Sequence, residues 1–400
     1  MRFPLTVVTV FACLLAGRPS LGRDQIVQVR FHGNYSISDE EMARLAGINA
    51  ASPGDASADE IKARLLDTGR FEWVQVEKRY QSLGDTGPVV LLVTVKEKAP
   101  VKSKFMFAPI LSINDEYGFT YGGRITAIDL LGAGERLSAP LSWGGVRQAA
   151  LESQFDVSTP IVTSLFAGGG VNRKENPHYE VGDLRGEVWG KAVRRFGRFQ
   201  LDFNSGWTSV DFGSQHQDHI TYDVGASFDT RDNIVMPRDA VYAGAGWERL
   251  SLLNGLPDVN RYKLDLRGYK GLWGQVVLAG QAYWNLADAR LPDYERPFLG
   301  GAATLRGYEP GEFIGDNLFI SSVELRAPLT SPRNVLRAGV DLFFDVGTVY
   351  DHGASIGNAD FKQGAGIGFF AFLAGFGIKV DVGYDLRDSF QVHFSTAFRF

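Results

Sequence analysis

From Phe105 onward nearly every segment of the chain alternates between apolar and polar residues. Leu137, Ala139, Leu141 and Trp143 share one side of an extended run. Phe199, Leu201, Phe203, Ser205 and Trp207 share another, and Ile220, Tyr222, Val224, Ala226 and Phe228 a third. Successive side chains of a strand point to opposite faces, so each run has one apolar and one polar side. Runs of about ten residues separated by turn residues suit a transmembrane barrel, with lipid outside and a polar lumen inside. About eleven such runs precede residue 300 and about five follow it, which predicts an antiparallel barrel of about sixteen strands, an even number as bacterial barrels require. The last run is the longest: Phe390, Val392, Phe394, Thr396, Phe398 and Phe400 on one face, Gln391, His393, Ser395, Ala397 and Arg399 on the other. A soluble β-sandwich also alternates, but it needs polar outer faces, whereas here acids and arginines lie opposite a broad aromatic face.

Composition agrees. The chain has 47 glycines, 12% aromatic and 44% hydrophobic residues, and its mean hydropathy is -0.09. It is rich in strand and turn formers without being oily. Beyond the N-terminus no stretch reaches the roughly 18 apolar residues that a spanning helix needs. The nearest, residues 366–378, contains four glycines and reads as a hairpin turning at Leu373-Ala374-Gly375. A net charge of -5 and the lack of a basic stripe argue against a nucleic-acid partner.

Residues 1–22 have Arg2, an apolar run over 7–16 and the small-x-small end Ser20-Leu21-Gly22, which predicts a secretory signal peptide cut before Arg23. The one cysteine, Cys13, falls inside it, so no thiol or disulfide is expected in the mature chain. The apolar Leu14-Leu15-Ala16 that follows argues against lipidation of Cys13.

Residues 24–98 have the pattern of a small α/β unit. Ile26, Val27, Val29 and Phe31 predict a strand ending at the turn pair Gly33-Asn34. Ser38 then caps a helix carrying Met42, Leu45 and Ala46, and Ser57 caps a second carrying Ile61 and Leu65, which Gly69 stops. Two strands close the unit, over residues 71–80 and 89–95. A short linker at 99–102 leads into the barrel, residues 103–400.

Charge, glycine and alternation meet in residues 300–350, which read as a loop feeding two strands. Phe319, Ser321, Val323 and Leu325 face one way, and Ser322, Glu324 and Arg326 the other. In the next strand Ala338, Val340, Leu342, Phe344 and Val346 lie opposite Arg337, Asp341 and Asp345. Upstream, Leu305-Arg306-Gly307-Tyr308 holds one cation among small and aromatic residues. A guanidinium folded inward needs a carboxylate, and Glu324 and Asp345 are the candidates.

These marks together resemble the outer-membrane assembly superfamily of BamA, TamA and the two-partner secretion transporters. Leu305 to Tyr308 is similar to its (L/V)RGY/F loop, and Phe343-Phe344-Asp345-Val346-Gly347-Thr348-Val349-Tyr350-Asp351 to its FxDxGxVx(D) strand. Gly315-Asp316-Asn317 and Ser322-Val323-Glu324 stand between them in the family order. Asp229-Thr230-Arg231-Asp232-Asn233 with Met236-Pro237 resembles the family's DTRDN turn, except that Asp239 replaces a common glycine. The β-α-α-β-β order of residues 24–98, with its Gly33-Asn34 turn, is similar to a POTRA domain, the family's periplasmic module.

The resemblance implies an outer-membrane protein with its POTRA domain in the periplasm. It implies that Arg306, Gly307 and Tyr308 lock the loop in the lumen against Glu324 and Asp345. It also implies a weak seam between the first strand, about 104–113, and the last, 388–400, with Phe394, Phe398 and Phe400 in the closing strand whose aromatic end is an assembly signal. Opening the seam would let an incoming strand pair by β-augmentation. The partners implied are the outer-membrane bilayer, unfolded outer-membrane or secreted polypeptides as clients, and periplasmic chaperones or accessory proteins. Two functions compete: insertion of barrel proteins, and export of a dedicated polypeptide as in two-partner secretion. One POTRA, and no room for a plug helix between Gly22 and Gln25, favours the first. A passive porin has no need of Arg306 or a POTRA.

Enzymatic readings find little support. Gly353-Ala354-Ser355-Ile356-Gly357 spells G-x-S-x-G but lacks the strand-to-helix turn of a nucleophile elbow. Gly364-Ala365-Gly366-Ile367-Gly368 lies in a strand and is no dinucleotide loop. His216 and His219 lack a third metal ligand and read as a surface pair. Asn34-Tyr35-Ser36 serves the turn rather than glycosylation. No cofactor, nucleotide or metal is expected.

Overall fold

A computed structural model describes residues 25–35, 37–48, 58–80, 88–97, 104–157, 159–253, 255–330, 336–373, 376–396 and 398–400. The segment read as a signal peptide, the linker at 99–102 and the Ser57 cap lie outside them.

Strand β1 (Gln25–His32), helices α1 (Asp39–Ala46) and α2 (Ala58–Asp67), and strands β2 (Phe71–Tyr80) and β3 (Pro88–Glu97) make one small unit. Its sheet has the order β1-β3-β2, with β1 parallel and β2 antiparallel to β3. Ser38 caps α1 by accepting from the Glu41 amide at 3.3 Å, and Gly47 ends it in the left-handed region. Met42, Ile61, Leu65, Leu91 and Val93 pack fully buried between helices and sheet, each contributing about 1.5–3 kcal/mol of transfer free energy. At Gly33, φ is +84° and a Cβ would stand 1.9 Å from the Val95 carbonyl oxygen, so only glycine fits. Asn34 next to it donates to the Ile37 carbonyl at 2.9 Å and to Asp39 at 2.7 Å.

The rest is one antiparallel sheet of sixteen strands. Eleven precede the long loop: β4 (Phe105–Asn114), β5 (Gly118–Ile128), β6 (Arg136–Gly144), β7 (Arg147–Asp156), β8 (Ser164–Asn176), β9 (Val181–Phe196), β10 (Phe199–Phe212), β11 (Gln215–Asp229), β12 (Ala240–Leu252), β13 (Val259–Gly271) and β14 (Val277–Ala287). Within the loop, β15 (Phe298–Leu299) pairs with β16 (Phe313–Ile314). Five strands follow: β17 (Asn317–Pro328), β18 (Leu336–Tyr350), β19 (Lys362–Leu373), β20 (Phe376–Tyr384) and β21 (Phe390–Ser395). Each strand pairs with its sequence neighbour, and β14 pairs directly with β17. Large apolar side chains such as Phe107, Trp143, Leu151, Val188, Phe203 and Phe390 stand exposed on the outer face, while Gln281, Glu324, Arg326, Asp341 and Lys379 are buried inside. A lysine or arginine facing lipid at mid-membrane costs about 2–4 kcal/mol, so a one-residue register slip would be heavily penalised.

The small unit rests on the turns at one end of this barrel. Glu77 of β2 accepts from Arg337 at 3.1 Å and from the Asn233 side chain, Gln75 donates to the Asp232 carbonyl at 3.1 Å, and Glu72 pairs with Arg136. The long loop, residues 288–316, starts from the opposite end. Asp239, where the resembling turn carries glycine, takes a φ of +50°. An aspartate tolerates this better than most side chains, and Lys270 holds its carboxylate at 3.2 Å.

The closing strand departs from expectation. β21 stops at Ser395 instead of running to Phe400. Phe398 and Phe400 turn into the lumen, where the Arg326 guanidinium lies 4.2 Å and 4.8 Å from their ring centroids. Phe398 also packs on Phe370 and Phe372, and Phe400 is buried with Tyr269 and Ala279. A buried cation over two aromatic faces, added to their apolar burial, outweighs two more rungs of ladder on an edge strand. Of the three aromatics, Phe394 alone keeps the outward position expected of it.

Candidate functional site

The lumen wall beneath the loop is built by strand register. Ser322, Asp345 and Gly364 lie side by side across β17, β18 and β19. The next inward-facing row is Glu324, Phe343, Gly366 and Gly383, and the next Arg326, Asp341, Gly368, Asp381 and His393. The period of two thus gathers acids on β17, β18 and β20 around a column of three glycines on β19. The column is a trough, and the loop descends into it.

Arg306 is fully buried there. Its Nε and Nη2 donate to the two oxygens of Asp345, both at 2.8 Å, the paired geometry in which a guanidinium binds a carboxylate best. Its Nη2 also reaches Ser322 at 3.1 Å, Nη1 lies 2.7 Å from Glu324, and the plane stacks 3.5 Å from the Phe343 ring centroid. Around it stand Arg326, 2.7 Å from Glu324, and Lys379, 2.9 Å from Asp381 and 3.3 Å from Asp341; Arg399 is 3.5 Å from Asp345. Four cations face the four acids Glu324, Asp341, Asp345 and Asp381. The set is neutral, which is what makes burying it tolerable.

Gly307 has a φ of +99°, and a Cβ there would stand 2.9 Å from the Tyr384 carbonyl carbon. Tyr308 is buried with Leu299, Leu305, Leu318 and Ile320. The structure therefore brings Arg306, Gly307, Tyr308, Glu324 and Asp345 together, while Gly33 and Asn34 lie in the small unit and Phe394 on the outer face. Sequence reading put Asp341 and Arg399 on polar faces without assigning them to the site, and missed Lys379 and Asp381, although Lys379-Val380-Asp381 carries the same alternation as the acids it did use.

A second cluster holds the base of the loop. Glu295, in a single 3-10 turn, pairs with Arg185 at 2.8 Å and Arg261 at 2.9 Å. Burial pushes its carboxyl up, but the Arg261 and Arg185 guanidinium groups outweigh this and hold it down to about 2. His219 is buried and stacks on Tyr294, so it forms no surface pair with the exposed His216, which binds Asp211 at 2.6 Å. Beyond the turn after β4, Asp115, Glu116, Arg147, Arg173 and Lys174 line a cavity of about 730 Å³. Burial first, and the Asp115 carboxylate second, push the Glu116 carboxyl up to about 7 against the pull of Lys174. The G-x-S-x-G run is an outer loop in which Ser355 caps a short turn by accepting from Gly357.

β4 and β21 form the two edges of the sixteen-stranded sheet, and among the described residues no ladder joins them. The Ser112 and Thr396 hydroxyls are 3.5 Å apart, and Asp115 contacts His393. Moving three residues back along β4 matches moving three forward past His393, as antiparallel neighbours require. Residues 106–111 of β4 have a ladder to β5 on one side; on the other, Phe398 and Phe400, which the same register would set opposite Ile110 and Ala108, have turned into the lumen. Pro109, which lacks an N–H, suits such an edge.

The model of the Omp85 superfamily domain matches residues 172–400. The chain belongs to the Omp85 superfamily. Its structure is similar to that of BamA from Haemophilus ducreyi lacking POTRA domains 1–3, with a TM-score of 0.63 and 16% identity over 95% of this chain and 84% of that one. It is also similar to CdiB from Escherichia coli, at 0.55 and 13% over 94% and 76%, and to CdiB from Acinetobacter baumannii, at 0.52 and 14% over 94% and 73%. Sequence comparison with curated proteins finds no match. It is of the BamA/TamA type, whose homologous barrels are bacterial outer-membrane proteins.

Proposed function

We propose that this Omp85 barrel assists the insertion of β-barrel proteins into the outer membrane through the seam between β4 and β21. One observation carries the reading: among the described residues no ladder joins the two edge strands of the sheet, and residues 106–111 of β4 are paired there on the β5 side alone. Free backbone donors and acceptors are a template for another strand. An incoming hairpin that pairs with β4 satisfies them while its own apolar face enters lipid.

Residues 24–98 act in this reading as a POTRA domain in the periplasm, holding clients near the turns on which the domain rests. Arg306, Gly307 and Tyr308, seated on Glu324 and Asp345, keep the wall next to the seam in one shape. Clients are unfolded outer-membrane or secreted polypeptides, with periplasmic chaperones or accessory proteins delivering them.

The test is reconstitution in liposomes, reading insertion of an unfolded test barrel against empty liposomes, with ion conductance recorded on the same preparation. Faster insertion supports the assembly reading. Conductance without faster insertion overturns it in favour of an export pore for a dedicated polypeptide.

A further inference from the structure

Asp115 is the first residue after β4, and His393 lies near the end of β21, at the opposite edge of the sheet. Their side chains touch across the seam, His393 through Nδ1. The other ring nitrogen, Nε2, accepts from the Gly307 amide at 3.1 Å. An N–H donating to Nε2 makes that nitrogen the acceptor, so Nδ1 carries the hydrogen and donates to Asp115. The same Asp115 carboxylate accepts from the Ala302 amide at 3.0 Å. One carboxylate and one imidazole therefore connect the first strand, the last strand and two points of the lumen loop. The imidazole is 1% exposed and the carboxylate 11%, so water competes little for these bonds.

We propose that Asp115 and His393 pin the seam shut through the loop, so that the two edge strands part only when the loop lifts at Gly307. With no ladder between β4 and β21 among the described residues, the Asp115–His393 and Ser112–Thr396 side-chain contacts join them. Gly307 directly follows Arg306, whose guanidinium is seated in the lumen trough, so the seat and the pin are consecutive residues of one backbone. Lifting either strains the other. This deepens the assembly reading, and rests on it for the use of the opened seam, but the pin itself is a property of the wall.

The experiment uses the full chain in liposomes with Cys13→Ala, Ser112→Cys and Thr396→Cys, reading the rate of disulfide formation across the seam. Asp115→Ala and His393→Leu each remove the pin. Each is expected to slow the closure reported by the disulfide by about tenfold or more, the worth of one charge-assisted hydrogen bond, and to lengthen conducting events. His393→Gln, whose amide can accept from Gly307 and donate to Asp115, is expected to stay near the parent rate. Arg306→Ala is expected to slow it as the pin variants do, although Arg306 touches neither cysteine. Gel mobility without heating reports folding, and should His393→Leu fail to fold, Asp115→Ala, in a turn, gives the same readout. Unchanged rates in the folded pin variants overturn the proposal, as does a His393→Gln variant as slow as His393→Leu. Cross-linking that responds while insertion is never accelerated leaves the pin standing and overturns the assembly reading. Accelerated insertion with cross-linking indifferent to the variants does the reverse.

Discussion

Gly364 lies directly beneath the main chain of Arg306: a Cβ built at Gly364 would stand 1.9 Å from the Arg306 carbonyl oxygen. The loop is thus set by backbone contact as well as by charge. A Cβ built at Gly383 would likewise stand 2.4 Å from the Gly307 amide nitrogen.

Gly364→Ala should therefore unseat the loop while leaving every ionisable group in place. Overpacking of this kind costs about 1–3 kcal/mol. The expected result is a folded barrel that loses insertion activity and gains trypsin cleavage within residues 288–316, the loop's span. A variant with parental protection would show that the trough does not seat the loop.

Arg306→Ala should impair function more than export. Removing it leaves Asp345 with Ser322 and Arg399, and Glu324 with Arg326 and Lys379. These partners soften the loss, which should fall near the lower end of the 3–5 kcal/mol range, about 3 kcal/mol, for breaking a buried pair. Arg306→Lys should not restore activity, since an ammonium cannot bind Asp345 with two parallel bonds and stack on Phe343 at once. Complementation of a deletion strain, with outer-membrane levels measured alongside, checks both.

Glu116 gives a pH dependence. Its carboxyl is raised in the folded state from 4.5 to about 7, so between those values the folded chain holds more protons than the unfolded one. The contribution is fully present below pH 4.5 and is lost as pH rises through about 7. Glu116→Gln should match the parent near pH 4 and exceed it in stability at pH 8, read as the urea midpoint for folding into vesicles. A gap independent of pH would contradict the assignment.

The barrel was legible because lipid imposes a strict rule: each strand shows one apolar face, and the runs announce themselves one at a time. The acids at Glu324 and Asp345 were legible for the same reason, as charges on the polar side of such runs. The glycine column of β19 was visible as Gly364, Gly366 and Gly368 at a spacing of two, yet its meaning depends on a loop about sixty residues away in sequence. Asp115 and His393 lie 278 residues apart, and neither stands in a motif. The inward turn of Phe398 and Phe400 is likewise tertiary: nothing local breaks the alternation, and Arg326 on another strand decides it.

The most direct test locks the seam. With Cys13→Ala, the Ser112→Cys and Thr396→Cys disulfide ties β4 to β21, and insertion of an unfolded test barrel into liposomes is timed before and after adding reductant. Insertion at the empty-liposome rate when locked, recovering to the unlocked rate on reduction, is the expected result. Insertion equally fast with the disulfide intact would contradict a mechanism through the seam.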